Sequence, residues 1–226
     1  HVRLNDGNRI FVAEMKDDLS GIKEETLKEC ITAESGWEDT RNVDWPVAEG
    51  PTVIKQNNQY YLFYSANDFR NPDYAVGYAV SDSPYGPWEK AEGNPIIDRK
   101  LVGENGTGHG DLFKDKDGAW KYVLHVHASD TTVIPRRTAI ISVDIENNGT
   151  VKVDKSSYAP LSLDAKYVTY KNPLPVEYGD PYVLLASDGK YYMYGTGAGA
   201  VDGFCAYSSD DLVNWKPEGQ VYRGNV

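Results

Sequence analysis

The sequence predicts an all-β protein built from propeller-type blades, because of its composition and an internal repeat. Of 226 residues, 17 are Tyr, 21 are Gly and 12 are Pro, which is typical of many short strands joined by turns. One strand–turn–strand layout occurs three times, and two copies lead into a turn that ends in Trp. A unit of this kind, about 50 to 60 residues long, is the pattern of a four-stranded propeller blade.

Each copy of the repeat reads as a strand, a tight turn and a second strand rich in aromatic residues. The copies cover residues 49–65, 109–125 and 180–195. The second and third turns contain Asp117-Gly118 and Asp188-Gly189, and Asp-Gly between β-rich runs is a strong hairpin signal. We therefore expect three hairpins.

Further strands follow the first and third hairpins. Residues 74–80 and 203–207 alternate in polarity, and each run leads into a turn that closes on Trp88 or Trp215. Near the start of the chain, residues 8–15 resemble only the back half of such a unit. The stretch at 20–36 lacks a clean apolar face, and we expect it to be a loop.

The acidic charge balance excludes some classes of partner. The net charge is −11 and the pI is about 4.8, so a polyphosphate would be repelled, whereas a neutral sugar would not. No run of about 18 apolar residues is present to span a membrane. Cys30 and Cys205 leave open one disulfide or two free thiols. The start at His1, without an initiator Met, predicts a processed or truncated start.

Three polar residues occupy one position of the repeat when the copies are aligned on their aromatic strands. Glu49, His109 and Asp180 each lie 11 residues before the aromatic residue that opens the second strand. Equivalent positions of a propeller converge on its central channel, so these side chains are expected to face one cavity. The alternative is that they are only turn residues at strand entries, where Asp and Glu are common.

A Glu and an Asp across one cavity point to two-carboxylate chemistry. Glycoside hydrolysis uses such a pair, one carboxyl group protonating the leaving oxygen and the other acting at the anomeric carbon. Carboxylates on different blades stand well apart, which favours the inverting mechanism, whose separation of about 6.5–9.5 Å leaves room for water. Aromatic residues in the surrounding loops would suit sugar stacking.

These motifs resemble glycoside hydrolase family 43. The similarity rests on Glu49-Gly50-Pro51, the aromatic strand at 60–66, the strand from 74 toward Trp88, Gly108-His109-Gly110 and Gly179-Asp180-Pro181. It implies a five-bladed β-propeller, incomplete in this chain at about three to four blades. It also implies an α-L-arabinofuranosidase or β-xylosidase, secreted or periplasmic in a bacterium, acting on arabinose- or xylose-containing glycans with no nucleic-acid or membrane partner.

The resemblance also assigns roles to individual residues. Glu49 matches the general acid and Asp180 the general base. His109 matches a channel histidine that helps to hold a structural calcium ion through water, although no cofactor is expected to be required. Because calcium prefers oxygen ligands, a core histidine is the alternative for His109.

Three more residues are candidates for binding the sugar. Arg136 matches a family arginine near the sugar, with Arg137 as its rival and a solvated surface pair as the alternative. Trp45 and Phe69 lie near Glu49 in the sequence and would stack on sugar rings, unless they are buried structural aromatics.

The chain departs from the family pattern in one carboxylate and in the order of its blades. The Asp that tunes the acid has no match, and Asp180 follows Glu49 although the family's base precedes its acid. We divide the chain into residues 1–154 (the end of blade three plus blades four and five), a connecting segment at 155–172, and residues 173–226 (the first blade of the same or a following propeller).

Two arrangements explain that order, and a second function stays open. The chain is either a piece of two tandem domains or a permuted or split propeller completed by a second chain or a missing segment. In the first case Glu49 and Asp180 belong to different sites, and in the second they face each other. The alternative function is a non-catalytic propeller fragment that binds carbohydrate or has a structural or protein-interaction role.

Overall fold

The computed structural model describes residues 1–158, 172–197 and 202–224. Most of the connecting segment predicted at 155–172 lies outside the described residues. The boundaries at 154 and 173 stay a prediction. No helix among the described residues is long and apolar enough to cross a membrane.

Four antiparallel sheets make up the described part of the chain. The first sheet contains three strands, which are β1 (Val2–Leu4), β2 (Gly7–Val12) and β3 (Lys28–Thr32). The second contains β4 (Ala48–Gln56), β5 (Gln59–Ala66), β6 (Ala75–Ser81) and β7 (Glu89–Lys90). The third contains β8 (Gly108–Lys114), β9 (Trp120–Val126), β10 (Arg137–Ile145) and β11 (Val151–Asp154). The fourth contains β12 (Tyr178–Leu185), β13 (Tyr191–Gly197), β14 (Phe204–Ser209) and β15 (Lys216–Tyr222).

Helical structure in the described residues is limited to three short segments. One α-helix, α1, spans Arg99–Val102, and two 3₁₀ turns span Glu24–Thr26 and Lys155–Ser157. The all-β prediction is confirmed. The expectation of a loop at 20–36 is wrong in part, because β3 forms there and pairs with β2, which supplies the hydrogen-bonding partner that local sequence does not reveal.

The three predicted hairpins form, but their turns differ in length. Gln56 pairs with Gln59 around Asn57 and Asn58, whose φ angles are +52° and +63°; two positive φ angles are the mark of a type I′ turn. The turns after β8 and β12 contain Gly118 and Gly189 with φ near +80°, and each has one residue more than the first turn between equivalent strand pairs. This difference changes the alignment of the repeats.

The sheets pack face to face in chain order, because alternate residues of each middle strand point to opposite neighbours. In β5, Leu62 and Tyr64 pack toward the first sheet, whereas Tyr61 and Phe63 pack toward the third. In β9, Val123 packs toward the fourth sheet. Each of these side chains is at most 2% exposed. The stacking is that of successive propeller blades.

The outer face of the fourth sheet differs from the inner faces. Val183 and Met193 are buried against the third sheet. On the other face, Tyr182, Leu184 and Tyr222 are 48%, 44% and 46% exposed. This face borders a cavity of about 640 Å³ that reaches Asp180 and Thr196.

Cys30 and Cys205 are free thiols, so the disulfide alternative is wrong in this structure.

Candidate active site

The innermost strand of each four-stranded sheet is interrupted by a β-bulge. The register of β4, β8 and β12 shifts between Glu49 and Thr52, between Gly108 and Asp111, and between Gly179 and Tyr182. A bulge leaves residues unpaired and redirects their side chains. The repeat therefore builds the same irregular backbone three times around one channel.

The bulges align the repeats differently from the sequence spacing. Gly50, His109 and Asp180 share the unpaired position with positive φ, at +59°, +43° and +50°. The residues one position earlier are Glu49, Gly108 and Gly179, which pair with Ser65, His125 and Thr196. The expected equivalence of Glu49 with His109 and Asp180 is thus wrong by one residue, because the first hairpin turn is one residue shorter.

The expected convergence of the three side chains nevertheless occurs. Nδ1 of His109 lies 3.8 Å from Oε1 of Glu49 and 3.3 Å from Oδ1 of Asp180. These two distances bound the separation of the carboxylate oxygens at about 7.1 Å. The Glu49 and Asp180 side chains are only 13% and 23% exposed. Both carboxylates thus belong to one half-buried cluster, as the permuted or split arrangement requires.

Asp180 is held on both carboxylate oxygens. Arg136 donates from Nη1 to Oδ1 at 2.8 Å and from Nη2 to Oδ2 at 3.3 Å, and the Thr196 hydroxyl donates to Oδ2 at 2.6 Å. Charge-assisted, two-pronged hydrogen bonds of this kind fix both position and ionisation. A Cβ atom on Gly179 would overlap the Arg136 guanidinium, so glycine is required for this approach.

The surroundings of Asp180 favour its ionised form. Burial alone would raise the pKa of Asp180. The charge of His109, the Thr196 hydrogen bond and the charge of Arg136 act in the opposite direction, and together they lower that pKa below its usual value. An ionised carboxylate is the form that accepts a proton from water.

Glu49 lies at the junction of the first and second sheets. Its Oε1 accepts a hydrogen bond from the Tyr74 hydroxyl at 2.8 Å, and its Oε2 accepts one from Nδ2 of Asn8 at 3.4 Å. His1 approaches the same oxygen at 3.9 Å. Burial and the neighbouring Glu49 raise the pKa of Tyr74 well above its ordinary value, so its hydroxyl keeps the proton that it donates.

Of the two candidate arginines, only Arg136 contacts Asp180. Arg137 instead donates to the carbonyl of His127 and to Oε2 of Glu104. Phe69 lies in the same region, with the Arg136 guanidinium 5.0 Å from its ring centroid. Arginine packing on an aromatic face is favourable, so Phe69 contacts the group that holds Asp180.

Trp45 lines a different cavity from the one that reaches Asp180. It lines a cavity of about 460 Å³ with Arg41 and Arg70, and that lining includes neither Glu49 nor Asp180. Its indole N–H donates to the carbonyl of Leu4, and Arg3 lies 4.9 Å from its ring centroid. One ring face is therefore already in contact with a protein cation.

The sequence reasoning missed the residues that support the cluster. Ser65, His125 and Thr196 each lie five residues after the aromatic residue that opens the second strand of the hairpin, so the repeat spacing could have identified them together. Tyr74 carries no comparable signal, because it lies just before β6, outside the repeated hairpin.

A calcium ion held by His109 through water stays a prediction for the described residues. They contain no group of three or more His, Cys, Asp or Glu that could hold a metal, whereas calcium takes about six to eight oxygen ligands. Nδ1 of His109 already faces two carboxylates. We assign no chemical step to a metal.

Comparison with known proteins identifies the family to which this fold and carboxylate cluster belong. Residues 2–151 match the glycosyl hydrolases family 43, and the chain is therefore a member of glycoside hydrolase family 43. It is 29% identical over 131 residues to the beta-D-galactofuranosidase xynD of Aspergillus niger. It is 39% identical over 72 residues to an extracellular endo-alpha-(1->5)-L-arabinanase of Thermotoga petrophila.

Solved structures agree with this assignment. An endo-1,4-beta-xylanase from Bacteroides thetaiotaomicron matches 67% of this chain at 48% identity, with a TM-score of 0.63. An endo-arabinase from the same species matches 86% of the chain at 22% identity with a TM-score of 0.53, which supports the fold alone. The prediction of an incomplete family 43 propeller is confirmed.

The chain matches only part of each relative. The aligned regions cover 57% of this chain and 34% of the Aspergillus protein, and 31% of this chain and 13% of the Thermotoga protein. They cover 52% of the xylanase and 68% of the endo-arabinase.

Proposed function

We propose that the chain is a glycoside hydrolase that acts on arabinose- or xylose-containing plant polysaccharides or oligosaccharides by inversion. The observation that carries the proposal is that Glu49 and Asp180 lie 3.8 and 3.3 Å from the same nitrogen, Nδ1, of His109. Family membership and similarity to a xylanase and an arabinanase support the substrate class. The similarity to an extracellular arabinanase supports a secreted protein.

In the proposed reaction, the two carboxyl groups have opposite tasks. Protonated Glu49 gives its proton to the glycosidic oxygen as the bond to the anomeric carbon breaks. Ionised Asp180 takes a proton from a water molecule, whose oxygen forms the new bond to that carbon from the opposite face. The lowered pKa of Asp180 supports the role of base. Arg136 orients Asp180 and would contact the sugar beside it.

Hydrolysis of arabino-oligosaccharides and xylo-oligosaccharides, whose sugar leaving groups require protonation, tests the assignment. Glu49→Gln and Asp180→Asn are expected to lower kcat/KM by at least about 100-fold, the range of general acid–base catalysis. Asp188→Asn, in the exposed turn after β12, is the matched control and should retain activity. Equal turnover by wild type and Glu49→Gln would contradict the role of Glu49.

The anomeric configuration of the first product tests inversion separately. The distance between Oε1 of Glu49 and Oδ1 of Asp180 is at most about 7.1 Å. This upper limit lies within the range for inverting enzymes, but it also admits the shorter separation of about 5–5.5 Å found in retaining ones. We expect proton NMR to detect the inverted anomer first. Initial formation of the retained anomer would make Asp180 a nucleophile.

A non-catalytic carbohydrate-binding fragment is the second candidate, favoured by the unmatched third carboxylate. The ion pairs of His109, His125 and Arg136 in the described residues involve no carboxylate other than Glu49 and Asp180. This function predicts oligosaccharide binding by calorimetry with no hydrolysis. A second chain or further segment that completes the propeller is also a proposal, and light scattering on the purified chain tests the second-chain form.

A further inference from the structure

His125 is a buried histidine that the two-carboxylate reaction does not use. It lies in β9, is 0% exposed, and pairs with Gly108 at the bulge of the third sheet. Its Nδ1 accepts a hydrogen bond from the backbone N–H of Asp180 at 3.1 Å. Because Nδ1 is the acceptor, the ring proton lies on Nε2, which has no hydrogen-bond partner among the described residues.

A hydrogen bond of the same kind, from a bulge backbone N–H to a side chain of the preceding sheet, occurs one sheet earlier in the molecule. The backbone N–H of His109 donates to Oγ of Ser65 at 2.8 Å. Ser65 and His125 occupy equivalent positions of β5 and β9, and each accepts from the bulge residue of the following sheet. Non-glycine residues at positive φ need such support, because the Cβ atom of an L residue disfavours that conformation.

The face of the His125 ring reaches the second carboxylate. The Tyr74 ring stacks on it, with centroids 5.6 Å apart and an interplanar angle of 12°. The Tyr74 hydroxyl donates to Glu49 at 2.8 Å. The His109 ring lies 6.4 Å away by ring centroid, and the charged groups that act on His125 are Arg136, Asp180, His109 and His127.

We propose that His125 is a positioning residue that sets the geometry of both candidate carboxylates. It holds the backbone of Asp180 through Nδ1 and supports Tyr74, and thereby Glu49, through its ring face. The inference rests on the proposed function in that the positioned groups are the acid and the base. It assigns to His125 no contact with the reacting atoms.

Two substitutions separate the hydrogen bond from mere packing. His125→Asn keeps an acceptor near the position of Nδ1, whereas His125→Leu fills the space without one. We expect His125→Leu to lower kcat about 10- to 100-fold, because small displacements of reacting groups carry costs of that order, with KM changed less. His125→Asn should recover the part of that loss that comes from the hydrogen bond to the Asp180 backbone. Leu124→Ala, at the fully buried neighbouring position, is the control for lost core packing and should leave kcat within about threefold.

Amide hydrogen exchange of Asp180 is the readout that does not depend on activity. The Asp180 N–H should stay protected in wild type, His125→Asn and Leu124→Ala. It should exchange at least about tenfold faster in His125→Leu, because the amide then has no acceptor. Unchanged protection in His125→Leu, or loss of protection in His125→Asn, would overturn the proposal. If His125→Leu does not fold, Asp180 protection in His125→Asn decides the matter.

The two proposals fail in distinguishable ways. If Asp180→Asn is inactive while His125→Leu keeps wild-type kcat and protection of the Asp180 amide, only the role of His125 is wrong. If Asp180→Asn retains full activity, the proposed function is wrong. The exchange data then still report whether His125 holds that backbone.

Discussion

Arg136 and Asp180 form a two-pronged ion pair across the third and fourth sheets, with Nη1 and Oδ1 2.8 Å apart. Arg136 immediately precedes β10, and Asp180 occupies the bulge of β12, so the pair joins elements 44 residues apart in the chain. The Arg136 side chain is 16% exposed and that of Asp180 is 23% exposed. Limited solvent makes this contact stronger than an ion pair at the surface.

Removal of the arginine should raise the pKa of Asp180. The charge of Arg136 is one of the influences that lower that pKa, so in Arg136→Ala the carboxylate becomes protonated at a higher pH. We expect the acidic limb of the kcat/KM profile to move to higher pH and the maximum to fall about 10- to 100-fold. Arg137→Ala, which does not contact Asp180, should leave the limb in place. A shift of equal size in both variants would contradict this prediction.

Loss of the Tyr74 hydroxyl should impair Glu49 without emptying the core. Tyr74→Phe keeps the ring that stacks on His125 but removes the donor to Glu49. We expect kcat/KM to fall about 3- to 10-fold, in line with the loss of one hydrogen bond that orients the uncharged Glu49. Tyr61→Phe is the matched control, because the buried Tyr61 hydroxyl has no partner among the described residues. Wild-type kinetics for Tyr74→Phe would show that this hydrogen bond has no role.

The buried carboxylate of Glu38, outside the cluster of Glu49, His109 and Asp180, should matter for stability. Glu38 is 2% exposed and accepts hydrogen bonds from Nζ of Lys90 at 2.7 Å, the Tyr64 hydroxyl at 2.5 Å and the backbone N–H of Glu34 at 2.7 Å. Lys90→Met removes the cation and leaves Glu38 buried. We expect the free energy of unfolding to fall by about 2–4 kcal/mol. This value is near the lower part of the range for a broken buried ion pair, because the Lys90 side chain is 23% exposed and solvent weakens the pair.

Urea unfolding measures this effect against a surface pair of the same kind. Lys152 is 63% exposed and pairs with Glu146, so Lys152→Met should change stability by less than about 1 kcal/mol. A loss in Lys90→Met no greater than in Lys152→Met would contradict the buried-pair argument.

Chelation of divalent ions should leave hydrolysis unchanged. The described residues supply no cage of acidic and histidine ligands around His109, and the proposed reaction uses only carboxyl groups and water. We expect equal kcat/KM in EDTA and in millimolar calcium. A rise in Tm with calcium that His109→Ala abolishes would establish a structural ion in the channel.

The repeat made most of the architecture predictable, because strand alternation and turn residues are local properties of the sequence. The three hairpins, the strands near 74–80 and 203–207, and the convergence of Glu49, His109 and Asp180 follow from it. By contrast, β3 is defined by its pairing with β2, and the two-residue β7 is defined by its pairing with β6. Local pattern alone does not identify such elements.

Site details resisted prediction where they depend on tertiary contacts. The choice of Arg136 over Arg137 depends on which side chain crosses to the fourth sheet. The placement of Trp45 in its own cavity depends on where the loop before β4 packs. Spacing in the sequence could not separate these alternatives.

The glycine at the first bulge limits how many side chains the channel can hold. A Cβ atom on Gly50 would lie 3.0 Å from the His109 ring, closer than ordinary packing allows. At their shared position with positive φ the three bulges therefore carry only two side chains, those of His109 and Asp180, and the space beside Gly50 is taken up by the imidazole that approaches both carboxylates. Replacement of Gly50 by a residue with a side chain would displace His109. The residues Glu49 and Asp180 would still be present in the sequence, but the imidazole beside them would have moved.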